Sequence, residues 1–285
     1  MNSPEILRYG AFSNDPQGGN PAGIVLDAHG LQASEMLTIA AEVGYSETAF
    51  LFPRPDLGNA VYDIRYFSPE VEVPFCGHAT IATGVALGHK YGPSYYQLNT
   101  QAGPITLNVD EQDDAFTAVL TSPPAGMKNI ESDALVELLT LLGWSRFELD
   151  DRFEPAIGFA GLNNHPVLVA SSRERLSKLD YQFDDLKRFM QEQNWVTIQL
   201  VYPDRGNPDS RLWHSRNPFP VGGVYEDPAT GAGAAAFAGY LREYGFVIPG
   251  ETFVIRQGED MGHPSVINVK VGESSIEISG TAVRL

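Results

Sequence analysis

A short series of landmarks occurs twice in this 285-residue chain, in the same order and at nearly the same offset. Arg65-Tyr66-Phe67-Ser68-Pro69 leads through Pro74-Phe75-Cys76-Gly77-His78 into a run of small apolar residues that ends at Gly92. Arg216-Asn217-Pro218-Phe219-Pro220 leads through Glu226-Asp227-Pro228-Ala229-Thr230-Gly231 into a second such run, ending near Gly245. Phe67 and Phe219 are 152 positions apart, and Gly92 and Gly245 are 153 apart. Asn20-Pro21-Ala22-Gly23 is echoed by Asn164-His165-Pro166-Val167 at an offset of 144. Glycine and proline match easily by chance, but an ordered series is harder to produce that way and points to an internal duplication. Two similar halves are therefore expected, 1–125 and 126–285, joined near Pro123-Pro124-Ala125-Gly126. With 43% hydrophobic residues, the chain is long enough to bury a core in each.

The two small-residue runs, Ala79 to Lys90 and Ala232 to Tyr244, read as buried helices. Most of the rest reads as strands. In the first half these are expected at 5–12, 23–26, 45–52, 60–67, 95–109 and 115–121. A helix capped by Ser34 and ended by Gly44 lies among them. In the second half helices are expected at 132–142 and 184–192, with strands near 156–160, 165–170, 195–202, 252–256, 265–271 and 275–279. Strands outnumber helices, so the expected class is α+β, each half wrapping its sheet around its own central helix.

Charge narrows the partners. Thirty-six acidic against 19 basic residues give a net charge of −17, which repels nucleic acid and anionic membrane surfaces. No apolar run reaches the ~18 residues a spanning helix needs. Met1-Asn2-Ser3-Pro4-Glu5 lacks the basic start and apolar run of a signal peptide. A single cysteine excludes an internal disulfide and suits a reducing cytoplasm. The six histidines are scattered, with no His-Glu-x-x-His, so no metal is expected.

The chemistry concentrates at the two helix starts. Pro74-Phe75-Cys76-Gly77-His78 aims first-turn N–H groups outward, and such a start attracts anions. Cys76 beside it is either buried packing or a thiol whose pKa the helix lowers. His78 titrates near neutrality unaided, and its place at an anion-binding turn favours function over a structural bond. Glu47, in Ser46-Glu47-Thr48, precedes the apolar Ala49-Phe50-Leu51-Phe52. Its counterpart, Trp195-Val196-Thr197-Ile198, carries no acid. An unmatched carboxylate on a duplicated scaffold suits asymmetric acid–base chemistry, and burial would raise its pKa toward neutrality. Asp227 and Thr230 have helix-capping residue types, yet their turn is the counterpart of the Cys76 turn. Gly231-Ala232-Gly233-Ala234-Ala235-Ala236 has the form of a dinucleotide fingerprint but follows Glu-Asp-Pro-Ala-Thr rather than a strand, which excludes a nicotinamide site.

Taken together these segments resemble the PhzF-like, or phenazine biosynthesis-like, family of the diaminopimelate epimerase fold. The likeness rests on Gly19-Asn20-Pro21-Ala22-Gly23, Ser46-Glu47-Thr48-Ala49-Phe50, Arg65 to Pro69, Cys76-Gly77-His78-Ala79-Thr80, Glu226 to Gly231, Gln257-Gly258 and Met261-Gly262, which span essentially the whole chain. It implies mixed, mostly antiparallel sheets, an active site in the cleft between the halves, a homodimer, and proton transfer without a cofactor. It also implies Glu47 as the main acid–base group, His78 and Asp227 as its assistants, and a small carboxylate-bearing metabolite held by Asn20, Cys76, Gly77, Thr230, Gly231 and Ala232. In the phenazine enzyme the reaction isomerises a dihydro-hydroxyanthranilate. Cys76 stands where diaminopimelate epimerases keep their first catalytic cysteine, but Asp-Pro-Ala-Thr-Gly replaces the second. Ala232 replaces a serine of many relatives, and His263 an arginine. An isomerase is thus the leading expectation, ahead of a racemase or epimerase pairing Cys76 with Glu47 and of a non-catalytic metabolite-binding or interaction protein.

Overall fold

The computed structural model describes residues 4–113, 115–206 and 211–285, so Met1-Asn2-Ser3, part of the segment read for a leader, lies outside them. The chain divides into two compact units: Met1–Thr121 together with Ser279–Leu285, and Ser122–Ile278. The last seven residues thus lie with the first unit and not, as the division at 125/126 supposed, with the second.

In the first unit β1 (Leu7–Ala11), β2 (Asn20–Val25), α1 (Ala33–Val43), β3 (Glu47–Pro53), β4 (Val61–Phe67), β5 (Glu72–Val73), α2 (Gly77–Tyr91), β6 (Ser94–Thr100), β7 (Gly103–Gln112) and β8 (Ala115–Thr121) follow one another. β1–β2 and β3–β4 pair antiparallel, β2–β3 and β4–β6 parallel, and β6–β7–β8 antiparallel. The C-terminal strand, Ile276–Arg284, lies between β8 and β1 in the strand order and pairs Tyr9 with Arg284 and Ala11 with Ala282. The sheet of this unit is thereby closed around α2, which is buried continuously from His78 to Gly88.

In the second unit β9 (Ala125–Asn129), α3 (Ser132–Leu141), β10 (Ala156–Ala160), β11 (Asn163–Val169), α4 (Arg173–Ser177), α5 (Phe183–Glu192), β12 (Gln199–Pro203), β13 (Leu212–Arg216), α6 (Gly231–Glu243), β14 (Thr252–Gln257) and β15 (Ser265–Val271) lead into the C-terminal strand, β16 (Ile276–Arg284). β10–β11 is antiparallel, β11–β12 parallel, β12–β13 antiparallel, β13–β14 parallel and β14–β15 antiparallel. The series repeats that of β1 to β7 step for step. A central helix, α6, packs on β9, β10, β11 and β15. Each unit is therefore an α+β fold with a mixed, mostly antiparallel sheet around one helix.

The small residues of these helices let strands come close. A Cβ on Gly84 would lie 2.7 Å from Ala118 and Leu107, and one on Gly88 2.6 Å from Phe116. A Cβ on Gly239 would meet main chain, Gly126 N at 2.5 Å and the Ala125 carbonyl carbon at 2.9 Å. A side group at Gly84 or Gly88 of α2 meets side chains, whereas one at Gly239 of α6 meets backbone.

Local expectations differ from the structure in a few places. Ser34 lies inside the first turn of α1, and the N–H preceding the helix, that of Gln32, donates to the Glu35 carboxylate at 2.7 Å. Residues 95–109 form a hairpin, β6 and β7, broken where Gly103 takes a left-handed φ of 117° that a β-branched residue would not tolerate. The strand expected from 195 begins only at Gln199; Trp195 and Ile198 are buried, while Val196 N–H donates to Asn164 and Ile198 N–H to Pro218. β9, β13 and the short α4 had no place in the sequence reading. Among the described residues no helix is long and apolar enough to cross a membrane.

His165 sits at the heart of the second unit, fully buried, with Nδ1 2.8 Å from the Thr197 hydroxyl and Nε2 without a partner. Burial pushes its pKa down to about 4. An unfolded chain takes up this proton near pH 6.5 and the folded chain does not. Acid therefore favours unfolding, by about 3 kcal/mol at pH 4. His165→Asn should flatten the fall of stability between pH 6.5 and 4, as measured by denaturant titrations across that range. Gly239→Ala should lower stability by about 1–3 kcal/mol despite its better helix propensity, seen as a drop of several degrees in the melting temperature.

Candidate active site

Three elements of the first unit start at one end of it. β2 and β3 run parallel, in a register that sets Ala22 opposite Glu47, so Asn20 and Glu47 are both first residues of their strands. α2 starts at Gly77, preceded by Cys76 in extended conformation. Thr48, Ala49 and Phe50 of β3 are all buried, whereas Glu47 at the strand's first position is only partly covered, with its side chain 15% exposed.

The fold brings Glu47, Cys76 and His78 together. His78 Nε2 is 3.4 Å from Glu47 Oε2 and 3.4 Å from the Ser46 hydroxyl. His78 Nδ1 lies 3.4 Å from Cys76 Sγ. One donor atom from each of Glu47, Cys76 and His78 lies within 4.8 Å of the other two. The imidazole and thiol are buried, so the carboxylate is the member of the trio most open to solvent. The 3.4 Å between imidazole and carboxylate exceeds the ~2.7–2.9 Å of a tight charged hydrogen bond. That spacing leaves the carboxylate uncommitted and able to turn toward a ligand.

The turn is held from behind. Thr80 donates from its hydroxyl to the Cys76 carbonyl at 2.6 Å, and its N–H reaches the same oxygen at 3.1 Å. The Tyr66 hydroxyl shares a hydrogen bond with Thr80 at 2.7 Å, and burial raises the Tyr66 pKa, so the phenol stays neutral. Gly77 is half-buried at the first turn of α2, where helix geometry leaves N–H groups without intrahelical partners. Asn20 is buried.

The second unit has its own polar assembly at the start of α6. Asp227, Thr230 and Gln257 are buried there. Thr230 does not cap α6; its hydroxyl donates to Asp227 Oδ2 at 2.5 Å. Gln257, at the end of β14, donates from Nε2 to the Asp227 carbonyl at 2.7 Å and to Thr230 Oγ1 at 2.9 Å. The Asp227 N–H donates to the Asn217 carbonyl at 3.0 Å. The neighbouring Glu226 is paired with the buried Arg216, whose Nε donates to it at 2.9 Å, which ties the turn to β13. Gly231 is buried and Ala232 half-buried.

Two residues escaped the sequence reading of this site. Gln199 is the first residue of β12, as Glu47 is of β3. It is fully buried, donates to Ser215 at 3.0 Å and accepts from Asn217 at 2.8 Å. Residues 195–198 read as part of the same strand, so no local signal marks its place at the start of β12. Ser46 was read as part of a motif, but its contact with His78 joins residues 32 apart in sequence.

Comparison with known proteins covers the chain end to end. Residues 9–285 match the phenazine biosynthesis-like protein family. The trans-2,3-dihydro-3-hydroxyanthranilate isomerase of Pseudomonas chlororaphis is 32% identical over 279 residues, covering 96% of this chain and 94% of that one. An uncharacterized isomerase of Bacillus subtilis, YfhB, is 29% identical over 293 residues, 99% of this chain and 97% of its own. The crystal structure of a Bacillus anthracis phenazine biosynthesis protein of the PhzF family superimposes with a TM-score of 0.88 at 25% identity, covering 100% of this chain and 98% of that one. The repeated strand series, the Glu47–His78 contact at the start of α2 and these three likenesses agree, and the chain belongs to the phenazine biosynthesis-like (PhzF) family of isomerases.

Proposed function

We propose that this isomerase moves a proton on a small carboxylate-bearing metabolite, with Glu47 as the general acid–base group. The observation that carries the reading is the Glu47–His78 contact of 3.4 Å at the start of a buried helix. The first-turn N–H groups at Gly77 and His78 suit a substrate carboxylate. Glu47 takes a proton from an adjacent carbon, the electron pair spreads into the neighbouring unsaturated system, and Glu47 returns the proton to a different carbon. His78 steadies the carboxyl while it carries the proton, and the Cys76 thiol holds the imidazole from its other side. As the family likeness implies, Asp227 assists the proton transfer and positions the substrate, and Asn20, Thr230, Gly231 and Ala232 are assigned to binding it. The steps call on no cofactor.

A racemase pairing Cys76 with Glu47 fits less well. Two bases that bracket one carbon stand about 6–7 Å apart, each ~3–3.5 Å from it. Here donor atoms of the thiol and the carboxylate lie within 4.8 Å of each other and on the same imidazole. The substrate of the Pseudomonas relatives, trans-2,3-dihydro-3-hydroxyanthranilate, is the first compound to try; Ala232 and His263 leave room for a different carboxylate.

The test is hydrogen exchange followed by NMR in heavy water, with a panel of amino and hydroxy acids that includes that compound. Wild type should place deuterium on a substrate carbon. Glu47→Gln should lose about 10²–10⁴-fold in rate with an unchanged melting temperature; retained turnover would remove Glu47 from the chemistry. Asp227→Asn should lower kcat/KM by about 10- to 100-fold, the loss of one charged hydrogen bond, in steady-state assays on the compound so identified.

A further inference from the structure

We propose that Tyr66 and Thr80 are positioning residues for substrate binding. Acting through the Cys76–Gly77 peptide, they aim and strengthen the Gly77 N–H that receives the substrate carboxylate. This role rests on the carboxylate position proposed above and names what sets it. β3 and β4 pair with Ala49 opposite Tyr66, so Tyr66 lies on the sheet face that also carries Glu47 and Ala49. There it is fully buried and reaches Thr80 of α2, which is fully buried too. The direction of the bonds follows from the proton count. A hydroxyl has one proton to give, and a carbonyl oxygen can only accept. The Thr80 proton therefore goes to the Cys76 carbonyl, 2.6 Å away. The 2.7 Å bond between Tyr66 and Thr80 must then run from the phenol to Thr80 Oγ1. Burial raises the Tyr66 pKa, so the phenol keeps the proton that this bond needs.

The chain of donors ends on one peptide. The Cys76 carbonyl accepts the Thr80 hydroxyl and, at 3.1 Å, the Thr80 N–H. In a planar trans peptide the carbonyl and the following N–H point in opposite directions. Two bonds that hold the Cys76 carbonyl into the helix thus turn the Gly77 N–H outward from its start. A flipped peptide would break both bonds and set an oxygen against the carboxylate. Hydrogen bonds in series also polarise one another, so a carbonyl that accepts two makes its N–H a better donor. The second unit has no such chain. α6 is entered from Thr230 as α2 is from Cys76, which sets Ala234 in the place of Thr80. The Thr230 carbonyl accepts the Ala234 N–H at 2.9 Å, and alanine has no hydroxyl to add. A threonine bonded to the carbonyl four residues back slightly disfavours a helix. Helix stability therefore does not account for Thr80, and the bond belongs to the helix start that lies beside Glu47.

The experiment follows the Gly77 amide of the full-length protein by proton–nitrogen NMR, with benzoate titrated in as the carboxylate probe. Wild type is compared with Tyr66→Phe, Thr80→Ser and Thr80→Val. Without benzoate, the Gly77 amide proton should move upfield in Tyr66→Phe and further in Thr80→Val. In Thr80→Ser, which keeps the hydroxyl, it should stay near its wild-type position. Benzoate affinity should fall about 3- to 10-fold in Thr80→Val, the loss of one hydrogen bond, and recover in Thr80→Ser. A Gly77 amide that stays in place in both Thr80→Val and Tyr66→Phe overturns the role of these two residues, even if their melting temperatures fall. Tyr66→Phe removes a single oxygen, so the role stays open to refutation should Thr80→Val fail to fold. A wild-type Gly77 amide that does not respond to benzoate removes the carboxylate from that position and overturns both readings.

Discussion

Close approach between strands and a helix with almost no side chains is the constraint on which both units depend. A helix buried all round packs at ordinary distance if its surface carries large residues, and much closer if it carries glycine and alanine. In α2 the glycine positions receive Leu107, Ala118 and Phe116; in α6 Gly239 receives the main chain of β9. Interiors packed to crystal-like density transmit such contacts as rigid constraints. The helix then has one possible axial position, and its first turn lies where that position sets it.

The chemistry inherits this rigidity. Because β2 and β3 run parallel, their first residues face the same end of the unit, and α2 presents Cys76, Gly77 and His78 at its own start. A carboxylate at the first position of a strand is partly covered and still able to move, whereas the imidazole and thiol are buried in the turn. A mobile carboxylate beside a fixed imidazole suits a base that collects a proton at one atom and delivers it to another.

Duplication and divergence are both visible in the register. The two strand series repeat, yet β3 opens on Glu47 and β12 on Gln199, a neutral amide tied to Ser215 and Asn217. Likewise the Cys76–His78 pair gives way to Asp227 and Thr230, bridged by Gln257. Chemistry that treats the two ends of a substrate differently needs such asymmetry, and a duplicated scaffold supplies it by substitution at matched positions.

Much was legible in the chain itself. The ordered repeats announced two similar halves, the small-residue runs announced two buried helices, and Cys76-Gly77-His78 and Glu226 to Gly231 marked their starts. These signals are local, because helix burial and turn chemistry depend on neighbours a few residues away. Other features were not legible. The return of Ser279–Leu285 to the first unit and the gathering of Ser46, Glu47 and Cys76 around the His78 imidazole both join distant residues. Strand register and helix depth decide these pairings, and both are set by packing of the whole unit. The sequence alone determined which chemical groups were present and on which elements they lay; only the tertiary structure decided which of them touch, because contact depends on how the strands align and how deeply each helix sinks into its sheet.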